Sequence, residues 1–137
     1  MKLFIHIGYP NTASTTLQSF FVSQLKINCF GKDQKKTTSK DLQHAFDTIL
    51  FGNEKKFEKN TKKIIRIFRS QIKSDKNIIN VLTNEIFLSS FHIYKSDLSV
   101  IHKRLYFILS KIESISALKI LVIYRDQVDT LTRRNSW

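Results

Sequence analysis

Lys2-Leu3-Phe4-Ile5-His6-Ile7-Gly8 runs straight into Tyr9-Pro10-Asn11-Thr12-Ala13-Ser14-Thr15-Thr16, and Leu17, Phe20, Phe21 and Leu25 follow. A short apolar run that ends in glycine reads as a buried strand. The three- and four-residue steps from Leu17 onward read as a helix whose N-terminus the hydroxyl-rich segment feeds. Strand, glycine, polar loop and helix in that order open an α/β fold.

The rest of the chain repeats the alternation. Residues 29–40 are polar and Lys-rich and read as a connection. Helices are predicted over about 40–51 and 55–73, separated by Gly52-Asn53, the second carrying Ile64, Ile65, Phe68 and Ile72 on one face. Asn77-Ile-Ile-Asn-Val-Leu-Thr-Asn84 reads as a second strand over 78–84. Leu98, Ile101, Leu105, Ile108 and Ile112 recur as on an amphipathic helix. Leu118-Lys-Ile-Leu-Val-Ile-Tyr-Arg125 reads as a third strand, and Val128 and Leu131 place a further helix after it. Strands alternating with helices predict a three-layer sheet of parallel strands at 2–8, 78–84 and 118–125 within one domain, 1–137. Parallel pairing sets Gly8 and Arg125 at the same edge of that sheet.

Composition narrows the class. The 137 residues are 42% hydrophobic and include eleven Phe, enough for a packed core and against wholesale disorder. No apolar run approaches the roughly 18–20 residues that cross a bilayer, so no membrane association is expected. Cys29 is the single cysteine, which excludes an internal disulfide and fits a reducing compartment. The N-terminal apolar stretch is short, is interrupted by His6 and lacks a small-residue cleavage site, unlike a signal peptide. These features predict a cytoplasmic protein. Oligomeric state leaves no mark in the sequence.

The net charge is +12, and residues 31–76 alone carry +7, around Lys55, Lys56, Lys59, Lys62, Lys63, Arg66 and Arg69. Seventeen of the 23 cations are Lys, spread among Ile, Asn and Phe. A basic segment of this kind attracts polyanions, yet no nucleic-acid motif or aromatic interleaving accompanies it. The reading preferred from sequence is a solvated helix face, with a nucleic-acid-binding module kept as an alternative.

The segment after Gly8 has its own chemistry. Free N–H groups at a helix start converge on an anion, the helix dipole adds favourable potential, and Thr12, Ser14, Thr15 and Thr16 supply hydroxyl donors. An ordinary N-cap cluster uses the same residue types, and local chemistry leaves the two readings level. Counted from Gly8, the nucleotide-hydrolase pattern G-x-x-x-x-G-K-[ST] meets Ala13 where its second glycine belongs and Ser14 where its lysine belongs. No lysine reaches a β/γ-phosphate, which argues against an ATPase or kinase.

Ile5-His6-Ile7-Gly8-Tyr9-Pro10-Asn11-Thr12-Ala13-Ser14-Thr15-Thr16-Leu17-Gln18 resembles the opening of bacterial sulfotransferases, close to H-I-G-x-P-K-T-G-[ST]-T-x-L-Q. Leu121-Val-Ile-Tyr-Arg125-Asp-Gln-Val-Asp129 is similar to that family's strand-to-helix segment, and Val81-Leu-Thr-Asn-Glu85 to its [ST]-x-E turn. The resemblance implies a P-loop-like parallel sheet of which these residues are the N-terminal portion. It implies sulfuryl transfer from 3′-phosphoadenosine 5′-phosphosulfate to an acceptor hydroxyl or amine, with no metal. It further implies that Gly8, Pro10, Asn11, Thr12, Ala13, Ser14, Thr15 and Thr16 hold the 5′-phosphosulfate, and that Arg125, with Arg133 nearby, holds the 3′-phosphate. The implied partners are that donor and an acceptor the sequence does not identify. A nucleotide-binding chain without transferase activity is the alternative.

Three positions depart from the family pattern. Asn11 replaces the loop lysine, Ala13 the loop glycine, and Arg133 stands where the family has a serine, with Thr132 one step away. Glu85, just past the second strand, is the preferred general base, because open α/β sheets place their sites at strand C-termini. A solvent-facing cap is the competing role. His6 lies inside the first strand and reads as a core histidine. His44, His92 and His102 lack metal-ligand spacing, so no metal site is assigned.

Overall fold

In a computed structural model of the chain, the residues described are 1–8, 14–31, 39–84 and 97–123. The elements are β1 (Lys2–Gly8), α1 (Ser14–Ser23), β2 (Ile27–Gly31), α2 (Lys40–Phe51), α3 (Glu54–Gln71), β3 (Ile79–Thr83), α4 (Leu98–Ser110) and β4 (Ala117–Ile123). The four strands form one sheet in the order β2-β3-β1-β4, and every pairing is parallel. The architecture is therefore α/β with helices flanking a parallel sheet, as the alternation predicts.

Register divides the sheet into two faces. Leu3, Ile5 and Ile7 of β1 join Phe30 and Leu82 in one apolar cluster. The same cluster takes Leu42, Phe46 and Ile49 from α2, Phe57, Ile64 and Phe68 from α3, and Ile101, Leu105 and Ile108 from α4. Three helices thus cover one face. The alternate residues, including His6 and Thr83, face α1, where the Phe21 ring meets His6 edge-on at 5.9 Å between centroids. Phe46 and Phe68 pack edge-to-face at 5.4 Å where α2 meets α3, the arrangement ring quadrupoles favour.

Side-chain caps fix where the helices begin. Ser39 Oγ accepts from Leu42 N at 3.2 Å, Asn53 Oδ1 from Lys56 N at 2.9 Å, and Asp97 Oδ1 from Ser99 N at 2.8 Å, each satisfying an N–H that the helix leaves without a partner. Arg104 of α4 secures the turn between α2 and α3. Its Nη1 donates to the carbonyls of Ile49 (3.2 Å) and Gly52 (2.7 Å), its Nη2 pairs with Glu54 at 2.9 Å, and its guanidinium lies over Phe57. At the opposite end, Asn80 Oδ1 accepts from Lys73 N and from Asn28 Nδ2, closing the passage from α3 into β3.

Two expectations are corrected. Ile27–Gly31, which overlaps the expected polar connection over 29–40, is a strand, so the sheet has four strands and not three. Of its five residues only Phe30 and Gly31 are buried, and among the described residues it sits at an edge, paired with β3 alone. Pairing holds it extended, with no apolar alternation to announce it. The first helix also stops at Ser23, and Leu25, expected on its apolar face, is 98% exposed. The expected strand over 118–125 is β4 as far as Ile123. Residues 124–125 and the helix expected around Val128 and Leu131 lie outside the described residues.

β4 is the other edge, and Leu118, Ile120, Leu121 and Val122 are exposed there, Ile120 by 61%. Parallel sheets are normally covered on both faces, and the described residues leave these side chains of β4 partly uncovered. No helix among the described residues is long and apolar enough to cross a membrane.

Candidate functional site

The strand order locates a crevice. The chain leaves β1 toward β2 on one side and leaves β3 toward β4 on the other, and β1 and β3 are neighbours. Where adjacent strands send their connections opposite ways, an opening forms beyond their C-terminal ends, and open α/β sheets bind ligands there. Gly8 closes β1 level with Ile123 of β4. β1 therefore ends at this edge, and α1 begins at Ser14.

A buried polar cluster lies beneath the opening. His6 pairs in register with Thr83, and His6 Nδ1 lies 2.9 Å from Thr83 Oγ1. Gln18 Nε2 of α1 donates to the same oxygen at 3.1 Å. Gln18 Nε2 and His6 Nδ1 therefore meet at one hydroxyl, which has two lone pairs and one hydrogen to share between them. His6 Nε2 is buried and has no hydrogen-bond partner among the described residues. Asn84 N donates to His6 O at 3.2 Å, extending the link between β1 and β3 by one residue. One hydroxyl thus ties β1, β3 and the second turn of α1 together.

Burial pushes the His6 imidazole below its ordinary range. The native chain keeps the ring neutral, while the unfolded chain takes up its proton near pH 6.5. This contribution to stability is full above about pH 6.5 and is lost as pH falls toward the depressed native value, by at most about 1.4 kcal/mol per pH unit. Denaturant unfolding from pH 7.5 to 5.0 is expected to show that loss, and His6→Gln to flatten this part of the profile. Parallel profiles for the two proteins would show that His6 protonates as readily folded as unfolded.

The residues singled out from sequence stand as follows. Gly8 is the last residue of β1, at the crevice. Ser14, Thr15 and Thr16 open α1, and the Thr16 side chain is exposed. Pro10, Asn11, Thr12, Ala13, Glu85, Arg125 and Arg133 lie outside the described residues. In the sequence Glu85 follows Asn84 directly and Arg125 comes two residues after Ile123, and β4 ends at Ile123, opposite Gly8. His6, expected in the core, is fully buried. Thr83 and Gln18 carry no individual role in the sequence pattern, although both fall inside the quoted motifs. Their meeting depends on β1 lying beside β3, a fact of topology. Among the described residues, no group of three or more His, Cys, Asp or Glu side chains is placed to hold a metal ion.

No protein-family model, curated protein or solved structure matches the chain.

Proposed function

We propose that the chain is the donor-binding portion of a cytoplasmic sulfotransferase that uses 3′-phosphoadenosine 5′-phosphosulfate. The observation that carries this reading is the end of β1 at Gly8 beside β3, at the opening between strands whose connections run opposite ways, with α1 beginning at Ser14. The resemblance over Ile5–Gln18 falls on that strand, segment and helix.

In the reaction, an acceptor oxygen or nitrogen attacks sulfur, the bond from sulfur to the bridging phosphate oxygen breaks, and the nucleotide leaves with the electron pair. Gly8 ends the strand so that the backbone can pass close to the phosphosulfate. The segment over 10–16 supplies N–H and hydroxyl donors to its oxygens. Arg125 and Arg133 bring charge to the 3′-phosphate. Glu85 takes the acceptor proton as the new bond forms. Positioning and electrostatics then account for the rate, with no metal required.

The test is thermal unfolding with 3′-phosphoadenosine 5′-phosphate. At a hundredfold excess over Kd, stabilisation of about 2.7 kcal/mol is expected, with ATP giving much less. Arg125→Ala is expected to weaken the nucleotide about tenfold or more, the loss of one charge-assisted contact. Equal stabilisation by ATP, or none by either, would overturn the reading. Nucleotide binding without sulfuryl transfer is the second reading, and the neutral Asn11 at the lysine position favours it.

A further inference from the structure

The longest helix, α3, carries Lys55, Lys59, Lys62, Arg66 and Arg69 at alternating four- and three-residue steps. At about 100° per residue, these five fall within about 40° of one line along the helix, and they span about 21 Å from first to last. All five are exposed. Phe57, Ile64 and Phe68, on the opposite side of the same helix, are buried in the core. The cations are therefore held in a fixed, straight row by the packing beneath them.

Little of this charge is neutralised locally. Among the described residues, the ion pairs that involve α3 are Lys63 with Asp41 at 3.5 Å and Glu54 with Arg104 at 2.9 Å, and neither uses a member of the row. Glu58 is the one carboxylate beside it on the helix. Arg69 donates from Nη2 to the Lys111 carbonyl at 3.3 Å. That contact steadies its side chain and leaves its charge unneutralised.

We propose that this row binds the phosphate backbone of nucleic acid without reading its sequence. One positive charge every 5 Å or so meets a duplex that carries a phosphate about every 3.4 Å of its axis on each strand, so the two charge spacings are comparable and the row lies against a phosphate-dense surface. Phosphate contacts fix position and carry no base information, and the row presents no aromatic side chain on which a base could stack. A membrane surface fits less well, because a helix that lies in the interface needs its apolar face free, and that face of α3 is inside the protein. A protein partner fits less well too, since the row offers none of the aromatic or apolar anchors that dominate protein interfaces. The row lies on the three-helix side of the sheet, across from α1, so the proposal is independent of donor binding at the strand ends.

The experiment is fluorescence anisotropy with labelled 20-nucleotide mixed-sequence DNA, single-stranded and duplex, between about 50 and 200 mM salt. Five contacts predict a log–log salt slope near −4.5 for duplex and −3.5 for single strand. A variant carrying Lys55→Gln, Lys59→Gln, Lys62→Gln and Arg66→Gln keeps residues of similar helix propensity, and circular dichroism verifies its fold. It is expected to bind at least tenfold more weakly at 50 mM salt and to lose most of the slope. A charge-matched control, with Lys26, Lys40, Lys76 and Lys103 each changed to Gln, is expected to lose threefold or less. The proposal is overturned by equal losses in the two variants, by the absence of salt-dependent DNA binding, or by tighter binding to phosphatidylserine vesicles than to DNA at the same salt.

Discussion

Gly31→Ala is expected to destabilise the protein by about 2–4 kcal/mol, a large share of the 5–15 kcal/mol that holds a typical domain folded. A Cβ built at Gly31 falls 1.7 Å from the Thr83 carbonyl oxygen and 2.8 Å from its carbonyl carbon. Both are backbone atoms of a central strand, so no rotamer change relieves the contact. Either β2 moves away from β3 or the end of β3 shifts. The second response disturbs the Thr83 hydroxyl, and with it the contacts to His6 and Gln18. Urea unfolding measures the effect as a lowered midpoint, and a fall in the slope would report strand loss in the native state. A change below about 0.5 kcal/mol, the range of ordinary surface substitutions, would show that β2 parts from β3 at almost no cost and does not belong to the folded unit.

The same pair of residues shows where sequence reading succeeds and where it stops. β1, β3 and β4 are legible because each is a run of mainly apolar residues, as strands of a parallel sheet tend to be. Ile27–Gly31 offers Asn28 and Cys29 in the middle of five residues, and its extension depends on β3 lying alongside. Gly31 reads locally as a turn residue, but its actual constraint is the closeness of a strand 52 positions away in the chain. Arg104 left a clearer trace: it interrupts the apolar face of Ile101, Leu105 and Ile108, and a cation within such a face has to find acceptors. Those acceptors are the carbonyls of Ile49 and Gly52, which only the packing of α4 on the turn between α2 and α3 supplies.

The candidate site divides along the same line. Its location follows from strand order, and the parallel pairing expected between the first and third predicted strands is present, with Gly8 opposite Ile123. Its floor, the Thr83 hydroxyl shared by His6 and Gln18, needed the neighbour relation of β1 and β3. Serine, threonine and asparagine types alone could not separate an anion site from a helix cap, because both use the same donors at the same helix end. Side-chain charge at position 11 is what separates them chemically.

Asn11→Lys is accordingly expected to tighten binding of 3′-phosphoadenosine 5′-phosphosulfate about tenfold and to raise single-turnover sulfuryl transfer about 10–1,000-fold, the range for one preorganised donor where charge develops. As the bond from sulfur to oxygen breaks, negative charge grows on the bridging oxygen of the leaving phosphate. On the sulfotransferase reading, the Asn11 amide has only a neutral hydrogen bond to give that oxygen, whereas an ammonium would add a full charge to the interaction. The rate should therefore rise more than the affinity, because the added charge meets more negative charge in the transition state than in the bound donor. Stability should change by about 0.5 kcal/mol or less if the residue faces solvent, which separates a chemical gain from a better-folded protein. Donor titration and a single-turnover assay with the native protein and the variant provide the comparison. Tighter binding with an unchanged rate would support the nucleotide-binding reading without transfer. If neither changes while the protein stays folded, the segment after Gly8 is a helix cap in this chain, and the likeness to sulfotransferases carries no donor site.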